Sequence, residues 1–362
     1  MAELIIAPYL GAALKSFKKI VADHSEKGGK EGKRLVVLCE DRLSLVAERA
    51  VCEEVGGTFS GAVYTLSRFL SAEGGRCDDV LTSQGSAMAI SRLIEKNRSS
   101  LKLFNRLSAS GAAQEVYDTI ALLYSSKISP DDLSGVITDN SLLSRKLADL
   151  QLLYREYSEY LKEGGAIDRN AYLRRLPELI KSSKKIIGAD VVLLGFQAFT
   201  SSVSDVVKAC MQTADNVSGI FIGGSEGKYV NEAWATFEAL AKECALPVNR
   251  HHLPSALCPA AEQLRRLVFE PESYHDFVAV EAGKGQVNLI EAVDEDDECA
   301  FFAAAILKAV QEDGVRYRDI SVMLPDVNSF QPILERVFEE YSIPYYVDRR
   351  YPLSSHATCE FL

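Results

Sequence analysis

Lys15-Ser16, just downstream of the apolar run Leu4 to Ala7, is the residue pair best suited to hold a phosphate with its magnesium ion. That chemistry needs glycines, so that successive backbone N–H groups can close around the phosphates, together with a Lys for charge and a Ser or Thr for Mg²⁺. The stretch "APYLGAALKSF" supplies the Lys and the hydroxyl. Tyr9 and Leu14, however, fill both positions where G-x-x-x-x-G-K-S has glycine, which leaves only Gly11 for backbone freedom. A helix N-terminus with a surface Lys is the simpler reading, and Gly11, Lys15 and Ser16 form at most a degenerate phosphate loop. "IGGSEGKYV", 222–230, falls short differently: Gly227-Lys228 is followed by Tyr229, and Gly223 is one residue too close. It reads as a strand-to-helix loop.

Other chemistries find less. In a nucleotide-hydrolysing α/β core, a buried strand usually ends in an acid that holds Mg²⁺. "ADVVLLGFQAFT", 189–200, has the strand, but Leu194 and Gly195 occupy its end. No pair of carboxylates is placed for acid–base work, and "DEDDE" at 294–298 reads as a solvated helix N-terminus favoured by the macrodipole. The serines lack a G-x-S-x-G elbow. The eight cysteines are scattered without a C-x-x-C pair, whereas structural zinc and iron–sulfur sites use close pairs of thiolates. His251-His252 lies in a polar stretch before Pro254 and reads as a solvated loop. No catalytic residue, metal ligand or cofactor is expected within these 362 residues.

The elements that must position any site begin as a parallel α/β unit: a strand at Leu4–Ala7, a helix at Ala12–Ala22, strands at Arg34–Cys39 and Ala62–Thr65, and a helix at Leu43–Glu54 between them. From about 80 to 187 the pattern is helical only. One helix carries Met88, Ile90, Leu93 and Ile94 on one side. Ser129 and Pro130 open another. A long one turns Leu143, Leu147, Leu150, Leu153 or Tyr154, Tyr157 and Leu161 inward, and Asp168 caps a last one. The expected architecture is therefore an all-helical insertion (81–187) between the third and fourth strands of a sheet spanning 1–80 and 188–285. The sheet resumes with strands at 189–194 and 217–222 and helices near 203–211 and 231–244. An irregular stretch follows, punctuated by Pro247, Pro254 and Pro259, and then a linker, "EAGKGQ", at 281–286. A second unit, 286–362, opens with strands expected at "VNLIEA", "DISVMLP" and "IPYYVD", helices at 294–310 and 329–341 between them, and the sheet only begun.

The chain is 47% hydrophobic and 25% charged, with net charge −11. No apolar run reaches the roughly 18 residues of a membrane span. The start, "MAELIIAPYL", lacks the basic region of a signal peptide, so no membrane partner and a cytoplasmic location are expected. The charge is uneven: residues 1–187 carry +3 and the remainder −14. A basic groove for nucleic acid is compatible with the first half, although the overall field would not steer DNA toward it.

Several segments, taken together and in order, resemble the N-terminal helicase-like region of the AddB/RexB family: "LVVLCEDRLSLVAERA" (35–50), "VYTLSRFL" (63–70), "LADLQLLYREYSEYL" (147–161), "DVVLLGFQAFTSSVSD" (190–205) and "VRYRDISVMLPDVNSFQPILERVFEEYSIPYYVDRRYPLSSH" (315–356). The resemblance implies a P-loop NTPase-like fold, RecA-like and of superfamily 1 helicase type, with a second RecA-like domain beginning near 286. It implies a subunit of a helicase–nuclease complex that processes double-strand breaks, with an AddA-like partner and with single-stranded or duplex-end DNA as ligand. In the family, residues at the strand ends of the first motor-like domain line a single-strand channel and help recognise the Chi sequence. The matching positions are Arg42, Ser44, Leu66, Arg68 and Phe196, a set offering cations for phosphates and a ring for stacking. Arg42 and Leu66 replace the more usual Gln and Phe, which favours generic strand binding over Chi-type reading. Neither an intact phosphate loop nor the acid before Gly-Phe is kept, so the resemblance implies an inactive motor. The family's iron–sulfur cluster and Mg²⁺-dependent nuclease site are expected far downstream. A weak ATPase or helicase using Lys15-Ser16, and a pure protein-interaction scaffold, are the alternatives.

Overall fold

The computed structural model describes residues 1–27, 32–56, 61–74, 80–106, 108–135, 140–168, 172–223, 232–269, 287–348 and 357–361. The chain divides into two compact units, Met1–Gly283 and Lys284–Leu362. The near miss at Gly224–Val230 and the linker 281–286 lie outside the described residues, as does the end of the last quoted segment, 349–356.

In the first unit, β1 (Ala2–Ala7), β2 (Leu35–Cys39), β3 (Gly61–Tyr64), β6 (Asp190–Leu194), β7 (Asn216–Ile222) and β8 (Val248–His252) form one parallel sheet in the order β3-β2-β6-β7-β1-β8. Strands covered on both faces read as continuous apolar runs. β6 fits this, with Val191, Val192, Leu193 and Leu194 all buried, each burial contributing about 1.5–3 kcal/mol. Helices α1 (Leu10–Lys27) and α2 (Ser44–Val55) cover one face through Phe17, Val21, Ala47 and Val51. α3 (Leu66–Gly74), α7 (Leu176–Ser182), α8 (Ser201–Thr213) and α9 (Glu232–Glu243) cover the other through Phe69, Ile180, Val207 and Phe237. At the N-terminal edge of the sheet, Asp190 Oδ1 accepts from Lys33 Nζ (2.9 Å) and Asn216 Nδ2 (2.8 Å), while Oδ2 lies 3.1 Å from His24 Nδ1. Burial opposes ionisation of Asp190, but the Lys33 and Asn216 bonds outweigh it and hold the carboxyl below its usual range.

The insertion holds α4 (Ser83–Lys96), α5 (Ala109–Ser125) and α6 (Ser141–Gly164), packed through Ile90, Leu93, Ile120, Leu153 and Tyr157. It is not purely helical. β4 (Val80–Leu81) pairs in parallel with β5 (Ile167–Asp168), tying the entry of the insertion to its exit. A two-residue ladder is too short to show any alternation in sequence. Asp168 is buried in β5, where Tyr157 Oη (2.9 Å) and Tyr117 Oη (3.1 Å) donate to Oδ2; the first residues of the helix it is expected to cap lie outside the described residues. Met88 faces solvent, and Ala89 takes its expected place in the core. Ser129 starts only a 3₁₀ turn, Asp132–Gly135, in which its N–H and Oγ both bond Asp132 Oδ2 (2.7 and 2.6 Å). The acid satisfies the turn locally.

The stretch read as irregular holds β8 and α10 (Pro259–Phe269). His251-His252 therefore lies on an edge strand. Among the described residues β8 pairs with β1 alone, and its residues are mostly exposed, so nothing imposes an apolar pattern on it.

In the second unit, α11 (Glu295–Gln311) and α12 (Val327–Glu340) pack through Cys299, Ala303, Ile306, Leu334, Val337 and Phe338. A short α13 (Ala357–Phe361) follows. Among the described residues, the three expected strands, 287–292, 319–325 and 343–348, pair with no neighbour, and Asp319 belongs to the 3₁₀ turn Tyr317–Asp319. Parallel strands require cover on both faces, and here Leu289 and Met323 stand almost wholly in solvent.

Candidate strand-end interface

The parallel register places the candidate residues. Leu38 of β2 is level with Tyr64 of β3 and with Leu193 of β6. Arg42 lies four residues past Leu38, Arg68 four past Tyr64, and Phe196 three past Leu193. The three loops thus emerge side by side at the C-terminal edge of the sheet. Adjacent strands are about 4.8 Å apart, close enough for one polynucleotide to cross all three.

Arg42 sits in a 3₁₀ turn, Asp41–Leu43, which leads directly into α2. Its Nε donates to Glu40 Oε2 at 2.7 Å, and its side chain is 60% exposed. Ser44, the first residue of α2, donates its Oγ to the Asp41 carbonyl at 2.9 Å. Thr65 is buried and caps α3, accepting at Oγ1 from the Arg68 N–H at 3.3 Å. Arg68 Nη1 reaches across to Glu48 of α2 at 2.7 Å and is 55% exposed. Exposed ion pairs of this kind are worth about 0–1 kcal/mol. The carboxylates therefore hold the two guanidinium groups in place at little cost to their transfer onto phosphate. Two helix N-termini, those of α2 and α3, open on the same edge and add a field favourable to anions.

Leu66 begins α3 and is partly buried against the core. Phe196 departs from expectation. It is 7% exposed, with its ring 5.6 Å from Phe199, at the start of an aromatic series that continues to Phe221 and Phe237. Its faces are taken by protein, so it supports the edge from below and offers no surface to a base. Gly195 directs the ring there. It has φ +80°, the left-handed region that favours glycine, and a Cβ built on it would collide with Leu43 Cδ1. The β2 and β6 loops are locked together at this contact, a feature that sequence reading missed along with the Thr65 cap and the Glu40 and Glu48 partners. The Thr-x-x-Arg spacing at a strand-to-helix junction was the available signal. Beneath the edge, burial pushes the Cys39 thiol up to about 11 against the opposing pull of Arg68, so this cysteine is an unreactive part of the core.

Gly11, Lys15 and Ser16 lie elsewhere. β1 is separated from β2 by β6 and β7. Only Pro8 and Tyr9 connect β1 to α1, too short a link to form a concave loop of N–H groups. Lys15 is exposed in the second turn of α1. β6 ends in Leu194, buried, with the Gly195 N–H donating to the Ile220 carbonyl at 3.1 Å. Among the described residues, no three His, Cys, Asp or Glu side chains converge to hold a metal ion, and no helix is long and apolar enough to cross a membrane.

Residues 15–239 match the family model described as "ADDB, N-terminal". Proteins named as the B subunit of an ATP-dependent helicase/deoxyribonuclease are similar along most of the chain. That of Geobacillus thermodenitrificans (strain NG80-2) is 26% identical over 367 residues, covering 92% of this chain and 31% of its own length. That of Moorella thermoacetica (strain ATCC 39073 / JCM 9320) is 26% identical over 379 residues, covering 96% and 32%. That of Bacillus subtilis (strain 168) is 24% identical over 360 residues, covering 91% and 30%. The chain spans about a third of the length of these relatives.

Proposed function

The chain belongs to the AddB N-terminal family, and from that premise we propose that it is the motor-like but inactive region of the B component of a helicase–deoxyribonuclease, guiding a single DNA strand in double-strand break repair. The observation that carries this reading is the pair Arg42 and Arg68, brought side by side at the C-terminal edge of a parallel sheet, exposed and only loosely held by acids. Ligands of open α/β sheets bind outside the carboxyl ends of the strands. A strand bound there meets two cations, two helix N-termini and the Ser44 hydroxyl, which together recognise backbone without reading base identity. Leu66 supplies an apolar contact, and the buried Phe196 keeps the wall rigid.

An all-parallel sheet with helices on both faces supports a RecA-like reading, and the apolar segments of the second unit suit the start of another such domain. The two-residue link after β1 and the apolar end of β6 support a motor without ATP hydrolysis. An AddA-type helicase–nuclease is the partner that would supply the driving force.

Thermal unfolding tests the reading. A ligand at a hundred times its Kd that binds only the native state stabilises it by about 2.7 kcal/mol. A 20-nucleotide single strand is expected to raise the unfolding midpoint at low salt, and millimolar Mg²⁺·ATP to leave it unchanged. A rise with ATP would favour an ATPase using Lys15-Ser16, and no rise with either ligand would favour a protein-interaction scaffold.

A further inference from the structure

The strand-end edge carries its own competing anions. Glu40 follows directly on β2, Asp41 opens the 3₁₀ turn, and Glu48 lies one turn inside α2. These three acids are set against the two guanidinium groups of Arg42 and Arg68. They act as one electrostatic cluster, since the Cys39 thiol beneath the edge feels the pull of Arg68 together with the opposing fields of Asp41, Glu48 and Glu40. An edge of this composition differs from a uniformly basic groove, whose field alone would concentrate a polyanion.

Each ion pair leaves donors over. A guanidinium has five N–H donors in a planar fork. Among the described residues, the Arg42 side chain bonds through Nε alone, to Glu40 at 2.7 Å, and the Arg68 side chain through Nη1 alone, to Glu48 at 2.7 Å. Both side chains are more than half exposed, so the unused N–H groups are open to an incoming phosphate. A phosphate can therefore bond an arginine before the carboxylate lets go, and the carboxylate can return before the phosphate has left. The two anions still compete, because a carboxylate on one arm of the fork withholds it from the bidentate pairing that phosphate favours.

We propose that Glu40 and Glu48 are exchange partners for the backbone phosphates of the strand: they hold Arg42 and Arg68 between contacts, weaken the grip on any one phosphate, and so let a strand slide across the edge. The inference rests on the strand-end reading above. It assigns to that edge the residues that set how fast a strand is released.

The test uses the whole chain and a labelled 20-nucleotide single strand, with anisotropy at two salt concentrations for affinity and stopped-flow displacement by unlabelled strand for the dissociation rate. Glu40→Gln/Glu48→Gln should bind about fivefold tighter, which corresponds to one exposed ion pair at the upper end of its range. The gain should lie in slower dissociation, and the salt slope should stay as in the wild type because the same phosphates are neutralised. Glu53→Gln/Glu243→Gln removes the same charge from pairs with Lys18 and Lys208 at the far ends of α2 and α9, and should bind as the wild type does. Unchanged or weaker binding by Glu40→Gln/Glu48→Gln, with wild-type binding present and reduced in Arg42→Ala/Arg68→Ala, would overturn the exchange role and leave the strand-end reading standing. An equal gain in Glu53→Gln/Glu243→Gln, or a gain confined to the association rate, would also overturn it, since either marks a general effect of charge. Absence of strand binding by the wild type and by both Gln variants would overturn both.

Discussion

Replacing Asp149 by Ala is expected to destabilise the helical insertion by about 4 kcal/mol. The side chain is 2% exposed and accepts three backbone N–H groups: Lys102 at 2.8 Å, Leu103 at 2.7 Å and Phe104 at 3.0 Å. These are the unpaired donors at the start of the 3₁₀ turn Phe104–Arg106, and the carboxylate of α6 is their cap. Bonds to a charged acceptor are worth about 1.5–3 kcal/mol each, and a buried donor left without a partner costs about 1–3 kcal/mol. Relaxation of the turn toward water recovers part of the sum. Asp149→Asn keeps one carbonyl oxygen and should cost less. Urea denaturation followed by far-UV circular dichroism would measure both, and a loss below about 1 kcal/mol for Asp149→Ala would contradict the capping role.

The second large effect belongs to the strand-end edge. Gly195→Ala should cost about 3 kcal/mol, combining the roughly 1–2 kcal/mol of a left-handed non-glycine residue with an overpacking penalty of similar size. Leu43 is buried among the helices of that face, so its side chain has little room to withdraw from the new Cβ. If the Leu43–Gly195 contact is the lock between the β2 and β6 loops, Leu43→Ala should relieve part of the clash. The double variant Gly195→Ala/Leu43→Ala would then lose less than the sum of the single variants, since residues in contact do not add. Additive losses would show that the two loops are positioned independently.

How far these features were visible in the sequence follows from what each residue is constrained by. β2 and β6 are covered on both faces, so burial imposes apolar runs, and "LVVLC" and "DVVLL" could be read directly. Among the described residues β8 pairs on one side only, and "VNRHH" shows no such pattern. The helices of the insertion were legible from their spacing. The two acids that organise it were not, because Asp149 shares the inward phase of Leu153 and Tyr157 and is recognisable only once its N–H partners are known. Asp168 shows the same limit, since a short acid near a helix start does not announce the two tyrosine hydroxyls that converge on it. The second unit shows the opposite failure. Its apolar segments have strand composition, yet composition does not provide the neighbours that a parallel strand must bond.

The site divides along similar lines. Resemblance to a family supplied Arg42, Ser44, Leu66, Arg68 and Phe196, and register brought their loops together. The resemblance carried no information on which way a ring would point. Phe196 turns inward because Gly195 reverses the backbone and Phe199 waits beneath it. The chemistry left at the edge is electrostatic, which makes salt the most informative variable.

The measurement that tests the central claim most directly is the anisotropy of a labelled single strand titrated at two salt concentrations with the wild-type chain and with Arg42→Ala/Arg68→Ala. Each phosphate neutralised on a single strand contributes about 0.7 to the slope of log K against log salt. The account predicts salt-sensitive binding by the wild type, a slope reduced by about 1.4 in the double variant, and an affinity at least about tenfold lower at the lower salt. Binding by the double variant with unchanged affinity and slope would contradict it and place the DNA path away from the strand ends.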